Sequence, residues 1–145
     1  MPLVAKSIEI NASPEAVFDW LIEPDLLARW ISGFVGSEPI TDGGARLGAR
    51  SRDTIREGSR TLVLDTEIVG FELGRRLAVR IEYKGGASDD TYELIPQGGV
   101  TRLEYRSDTR LRGTTRLLTP FVAHQLRARA ERDLARLKDE VEAGE

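Results

Sequence analysis

The stretch TRLLTPFVAHQLRARAERDLARLKDEV, Thr115 to Val141, decides the fold. Within it Leu126, Ala130, Leu134, Leu137 and Val141 recur at steps of three and four residues, which sets them on one side of an α-helix. Arg127, Arg132, Arg136 and Lys138 fall on its flanks and opposite side. No other segment predicts a long helix. Between Gly33 and Leu111 the apolar residues mostly alternate instead, so the helical stripe must be buried against a curved sheet. Thr119-Pro120 interrupts the run. A proline inside a helix costs about 3 kcal/mol or more, so the helix either kinks there or restarts with Thr119 as cap and Pro120 in first position.

Working outward, 145 residues with 40% hydrophobic and 31% charged side chains predict one domain, 1–145, with a sizeable core. A net charge of −3 and a pI near 5.4 argue against a nucleic-acid partner, and no apolar run reaches the length of a membrane span. With no cysteine and one histidine, His124, disulfides, thiolate chemistry and His-rich metal sites are excluded or starved of ligands, and no metal is expected. The N-terminal residues lack a signal peptide's apolar core, so a cytoplasmic location is the expectation.

Leu3 to Ile10 alternates as a strand and stops at Asn11-Ala12-Ser13-Pro14, where Ser13 reads as a helix N-cap and Pro14 as the first helical residue. Glu23-Pro24-Asp25 breaks that helix, and Leu26, Leu27 and Trp30 predict a second short one. Strands then follow at roughly 33–40, 45–56, 60–72, 76–84, 89–96 and 100–111, separated by glycine-containing turns in an antiparallel meander. Alternation turns Leu77, Val79, Ile81 and Tyr83 inward, with Tyr92 and Leu94, and with Thr101, Leu103, Tyr105, Ser107 and Thr109. It also turns in Leu47, Ala49, Ser51, Asp53 and Ile55, beside Thr66. A buried, unpartnered Asp53 would be costly, so water or a ligand must reach it, or a bulge must shift the register there.

Ile8-Glu9-Ile10-Asn11-Ala12-Ser13-Pro14-Glu15-Ala16-Val17-Phe18-Asp19, then Trp30, Gly98-Gly99-Val100-Thr101-Arg102-Leu103, and Leu134-Ala135-Arg136-Leu137-Lys138 with Glu142, resemble the SRPBCC superfamily, nearest its polyketide cyclase/dehydrase branch. The resemblance spans essentially the whole chain. It implies an α+β helix-grip fold, a seven-stranded antiparallel sheet wrapped around the long C-terminal helix, with a cavity between them that takes lipids, polyketides or other apolar molecules. The irregular segment of Leu117, Leu118, Phe121 and Val122 would flank that cavity as a lid. One departure is Leu73-Gly74-Arg75-Arg76, where many relatives carry a proline in the turn.

His124 is the lone histidine for proton transfer, yet it lies far from the apolar stripe and no carboxylate stands in a spacing that would orient it, so a surface or subunit-contact histidine is the plain alternative. Asp53 is the better catalytic candidate, the alternative being a solvated or arginine-paired carboxylate at the mouth. Tyr83, Tyr92 and Tyr105 share inward parity on successive strands and their hydroxyls either converge on a ligand or are satisfied locally. Trp30 and Phe34, with Ser51, Thr66, Ile81, Phe121 and Val122, complete the candidate lining. Asp89-Asp90 reads as a solvated pair at a strand start, and adjacent strand residues face opposite ways.

Three functions fit these residues. The first is binding of a small, mainly apolar, lipid- or polyketide-like molecule without metal or organic cofactor, as a monomer or homodimer. The second is a cyclase or dehydratase using the same cavity, with Asp53 and a tyrosine or His124 as acid and base. The third is a protein-interaction module resembling the heat-shock-chaperone activators. Convergence of Asp53 with tyrosine hydroxyls on one enclosed volume would favour the enzyme, and a filled core the interaction module.

Overall fold

The structure is a computed structural model that describes residues 2–144. Its elements are β1 (Val4–Ile10), α1 (Pro14–Ile22), α2 (Pro24–Trp30), β2 (Phe34–Pro39), β3 (Arg50–Glu57), β4 (Arg60–Glu72), β5 (Arg76–Tyr83), β6 (Gly86–Gln97) and β7 (Val100–Leu111), then a 3-10 turn (Gly113–Leu118) and α3 (Thr119–Ala143). The strands form one seven-stranded sheet in the order β1-β7-β6-β5-β4-β3-β2, antiparallel at every pairing. With α3 against it, this is the helix-grip fold.

The local chemistry explains each turn of the path. The Ser13 hydroxyl accepts from the Ala16 amide at 3.2 Å and Pro14 starts α1, so α1 begins where its capping residues predict. The strand-to-helix corner would otherwise leave buried backbone groups unpaired. Glu142 of α3 accepts from the Asn11 amide at 2.8 Å, and the fully buried Thr101 hydroxyl donates to the Ala12 carbonyl at 2.7 Å. Lys138 donates to the Glu9 carbonyl and to Glu142. Residues that carry the family resemblance therefore hold α3 to the opening corner. Gly33, at φ 75°, lets the chain after α2 press against β3, where a side chain would lie 2.1 Å from the Arg56 carbonyl oxygen.

The core gathers Ile10, Val17, Phe18, Leu103, Leu137 and Val141. Phe18 meets Phe71 edge to face at 5.5 Å between centroids. The outer face of the sheet carries ion pairs, among them Arg52–Asp65, Arg80–Asp89, Arg110–Asp89 and Arg112–Glu82. All are exposed, so each contributes at most about 1 kcal/mol. They fix which side faces water more than they stabilise the sheet.

Three boundaries differ from the sequence expectation. β3 starts at Arg50, not 45: Gly43, Gly44 and Gly48 take positive φ, so 40–49 is a loop and Leu47 is exposed. β6 starts at Gly86, not 89, which carries the inward parity of Tyr92 back to Asp90 and Ser88. At Thr119-Pro120 the helix restarts, but Thr119 is not its cap. Leu118 holds that position, Pro120 lies in the first turn, and the Thr119 hydroxyl donates back to the Arg116 carbonyl at 2.7 Å. The bulges lie in β2 near Phe34 and in β4 between Ile68 and Gly70, not at Asp53.

Leu137 is fully buried at the centre of this packing. Leu137→Ala is expected to cost about 2–5 kcal/mol in urea unfolding, the range for a buried leucine whose site cannot collapse. A loss under about 1 kcal/mol would mean α3 is not the packing anchor.

Candidate functional site

Between the inner face of the sheet and the first half of α3 lies a cavity of about 790 Å³. Its apolar walls include Trp30, Ile68, Leu77, Val79, Leu64 and Leu134. Exposed residues of the 40–49 loop, with Arg50, Arg60, Lys84 and Gln125, mark the side open to solvent.

The register builds its floor from two strands. Asp90 of β6 pairs directly with Ser107 of β7, Ser88 with Thr109, and Tyr92 with Tyr105, and all six are on the cavity side. Asp90 Oδ1 accepts from the Ser88 hydroxyl at 2.5 Å and the Ser107 hydroxyl at 2.7 Å, while Oδ2 accepts from the Tyr105 hydroxyl at 3.1 Å. Thr109 donates to Ser88 at 3.4 Å and lies 3.2 Å from the Ser107 hydroxyl. Burial pushes the Asp90 carboxyl above its usual range against the pull of these hydroxyls, and neighbouring Asp89 adds to the rise. Tyr105 and Tyr92 are pushed up too, first by burial and then by the Asp90 charge, so both hydroxyls stay protonated. Tyr83 is raised by burial and by Asp90, with Arg110 and Arg112 opposing. Asp89 faces the other way and pairs with Arg80 and Arg110 outside.

A second polar group closes one wall. Asp133 of α3, 6% exposed, accepts from the Ser32 amide at 3.2 Å and from the Ser32 hydroxyl. Arg129, one turn earlier, lies 3.6 Å from Asp133 and also binds Glu57 and the Ser32 carbonyl. The link after α2 is thereby tied to the helix across the cavity's side.

Of the residues singled out by sequence, Trp30, Phe34, Ser51, Asp53, Thr66, Ile81, Tyr83, Tyr92, Tyr105 and Val122 all line this one volume. Asp53 accepts from Ser37 at 2.6 Å and Ser51 at 3.1 Å. The Thr66 hydroxyl is buried with no partner. Trp30 also has a structural bond, its indole donating to the Trp20 carbonyl at 2.8 Å. Two residues fall elsewhere. Phe121 is 64% exposed, because the restart at Thr119 turns Val122, not Phe121, to the cavity. His124 is exposed on α3 and does not line the cavity.

Among the described residues, the one tyrosine hydroxyl that bonds a cavity carboxylate is that of Tyr105, and it bonds Asp90, not Asp53. From sequence Asp90 reads as one of a solvated pair at a strand start, although the inward parity of Tyr92 and Leu94 extends to it. Asp133 is not among the sequence candidates, although its spacing of three from Ala130 and four from Leu137 puts it on the buried stripe.

Residues 1–142 match the family model described as polyketide cyclase / dehydrase and lipid transport. No curated protein matches the chain. Among solved structures, TTHA0849 from Thermus thermophilus is similar with a TM-score of 0.77 at 20% identity, covering 97% of each chain. Ara h 8.0201 is similar with a TM-score of 0.76 at 14% identity, covering 95% of each chain. DynU16, a protein in the dynemicin biosynthetic locus, is similar with a TM-score of 0.70 at 19% identity over 98% of this chain and 48% of that one. At these identities the likeness is one of fold.

A carboxyl whose folded pKa lies above its unfolded value of about 3.9 binds more protons folded than unfolded between the two, so stability falls as pH rises through that window. Asp90→Asn keeps the shape and an acceptor for Ser88 and Ser107 but removes that loss. Its urea midpoint should gain on the parent's as pH is raised above about 4, and level off once the folded pKa of Asp90 is passed. A difference that stays flat throughout sinks the burial account of Asp90.

Proposed function

Since this chain belongs to the polyketide cyclase/dehydrase and lipid transport family, we propose that it binds a small, mainly apolar molecule in the cavity between sheet and α3, as one domain spanning 1–145. The observation that carries this reading is the cavity of about 790 Å³, which sets apolar side chains around a floor of hydroxyls and a carboxyl at Asp90. That division suits a ligand with an apolar body, buried for its hydrophobic gain, and a polar end oriented by Asp90 and Tyr105. A core filled by side chains would instead have favoured a protein-interaction module working through its outer surface.

A cyclase- or dehydratase-type enzyme is the second reading, favoured by one feature. Asp90, with its carboxyl pushed up, is hydrogen-bonded to a protonated Tyr105 hydroxyl, which makes an acid/base pair facing the cavity. Asp90 takes the role expected of Asp53 from sequence. Native mass spectrometry of protein from its own host separates the two: a co-purifying molecule that is released unchanged marks a carrier, and one that the protein converts marks an enzyme.

Ile81 lines the cavity midway between Thr66 and Ser88, with which it pairs in register. Ile81→Trp should fill the space and weaken binding of the neutral fluorescent probe N-phenylnaphthylamine by about tenfold or more. The fold, read by circular dichroism, should persist. Probe binding that is unchanged in a folded variant would place the ligand outside this cavity.

A further inference from the structure

The charged groups inside the cavity are unequally matched. Asp133 has Arg129. Asp90 and Asp53 rest on hydroxyls alone, and among the described residues neither joins an ion pair. The cations are placed differently. Arg129 is already held by Asp133, Glu57 and the Ser32 carbonyl. Lys6, opposite Tyr105 in register, turns to Glu131 of α3 at 3.9 Å. Arg50, Arg60 and Lys84 are exposed at the mouth. The enclosed part of the cavity therefore offers carboxylates without cations, and among the described residues no cation without a carboxylate.

The hydrogen-bond count at Asp90 points the same way. A carboxylate has about four acceptor positions, and each hydroxyl has one proton to give. Ser88 and Ser107 take up Oδ1, but Oδ2 receives only Tyr105, so one position on Oδ2 is left for a donor. The protons of these three hydroxyls are already directed at the carboxylate, so they have none left for a ligand carbonyl or carboxylate. The rings of Tyr92 and Tyr105 stand 4.9 Å apart, and Trp30 meets Tyr92 edge-on at 6.5 Å. These rings pack on one another and set the position of the Tyr105 hydroxyl that bonds Asp90. A cation arriving here offsets the cost of burying Asp90, whereas an anion adds to it.

Taking the small-molecule reading above as its basis, we infer that the ligand is an apolar molecule ending in a protonated amine, which donates to Oδ2 of Asp90 on the cavity floor. The apolar body then lies along Val79, Ile68 and Leu64 toward the mouth.

Three probes with one alkyl chain and different ends test this by titration calorimetry: decylamine, decanol and decanoate. Decylamine should bind about tenfold or more tightly than decanol, with decanoate weakest, and Asp90→Asn should bring decylamine to within about twofold of decanol. Decanoate binding as tightly as decylamine, or an amine preference that survives in Asp90→Asn, overturns the inference. Decanol or decanoate binding without any amine preference overturns it while leaving the cavity reading intact. Failure of all three to bind removes both. Should Asp90→Asn not fold, the order of the three probes on the unaltered protein decides.

Discussion

Everything in this structure depends on how one helical stripe is buried against a sheet wider than the helix. Leu134, Leu137 and Val141 bury themselves together with Ile10, Val17 and Phe18, at the end of the sheet where β1 turns into α1. Glu142, Lys138 and Thr101 lock that end by satisfying the backbone of the corner. A helix fixed so firmly at its C-terminal half cannot also fill the far side, where β3, β4 and β5 curve away. The cavity is what remains between the first half of α3 and the inner faces of β3, β4 and β5.

Most of this was legible from two periodicities. Steps of three and four residues marked α3, and alternation assigned the inner faces of β5 and β7 residue by residue, with Thr101, Leu103, Ser107 and Thr109 all buried. Where the reading failed, local chemistry had overridden the pattern. Leu47 sits in phase with Ser51 and Asp53, but three glycines at positive φ around it bend the chain out of the sheet. Asp89-Asp90 reads from sequence as a solvated pair at a strand start beside a glycine turn. Only one of them is: pairing of β6 with β7 sends Asp89 outward to Arg80 and Arg110 and Asp90 inward to Ser107. No pattern of polarity alone separates these cases, because an inward carboxylate is tolerated only when the neighbouring strand supplies hydroxyls opposite it.

That supply is the second constraint. Asp90 lies in a region where a free charge is costly, and the sheet answers with Ser88, Ser107 and Tyr105 rather than with an arginine. Of the cations that line the cavity, Arg129 is engaged by Asp133 on the wall, and Arg50, Arg60 and Lys84 lie exposed at the mouth. Stability alone would replace Asp90 with an apolar residue of similar size, since buried charges rarely offset their desolvation. A cavity that keeps one, cushioned by neutral donors, has given up stability for a polar floor, a trade found at functional sites.

The contrast within the cavity sharpens the point. Along the wall, Asp133 and Arg129 close on each other and on Ser32 and Glu57, so their charges are engaged in tying the link after α2 to α3. On the floor, Asp90 has hydroxyl partners but no counter-charge. The same residue type thus stands in two settings, set apart by one neighbouring arginine: Asp133 with its cation ties two elements together, and Asp90 rests on neutral donors alone.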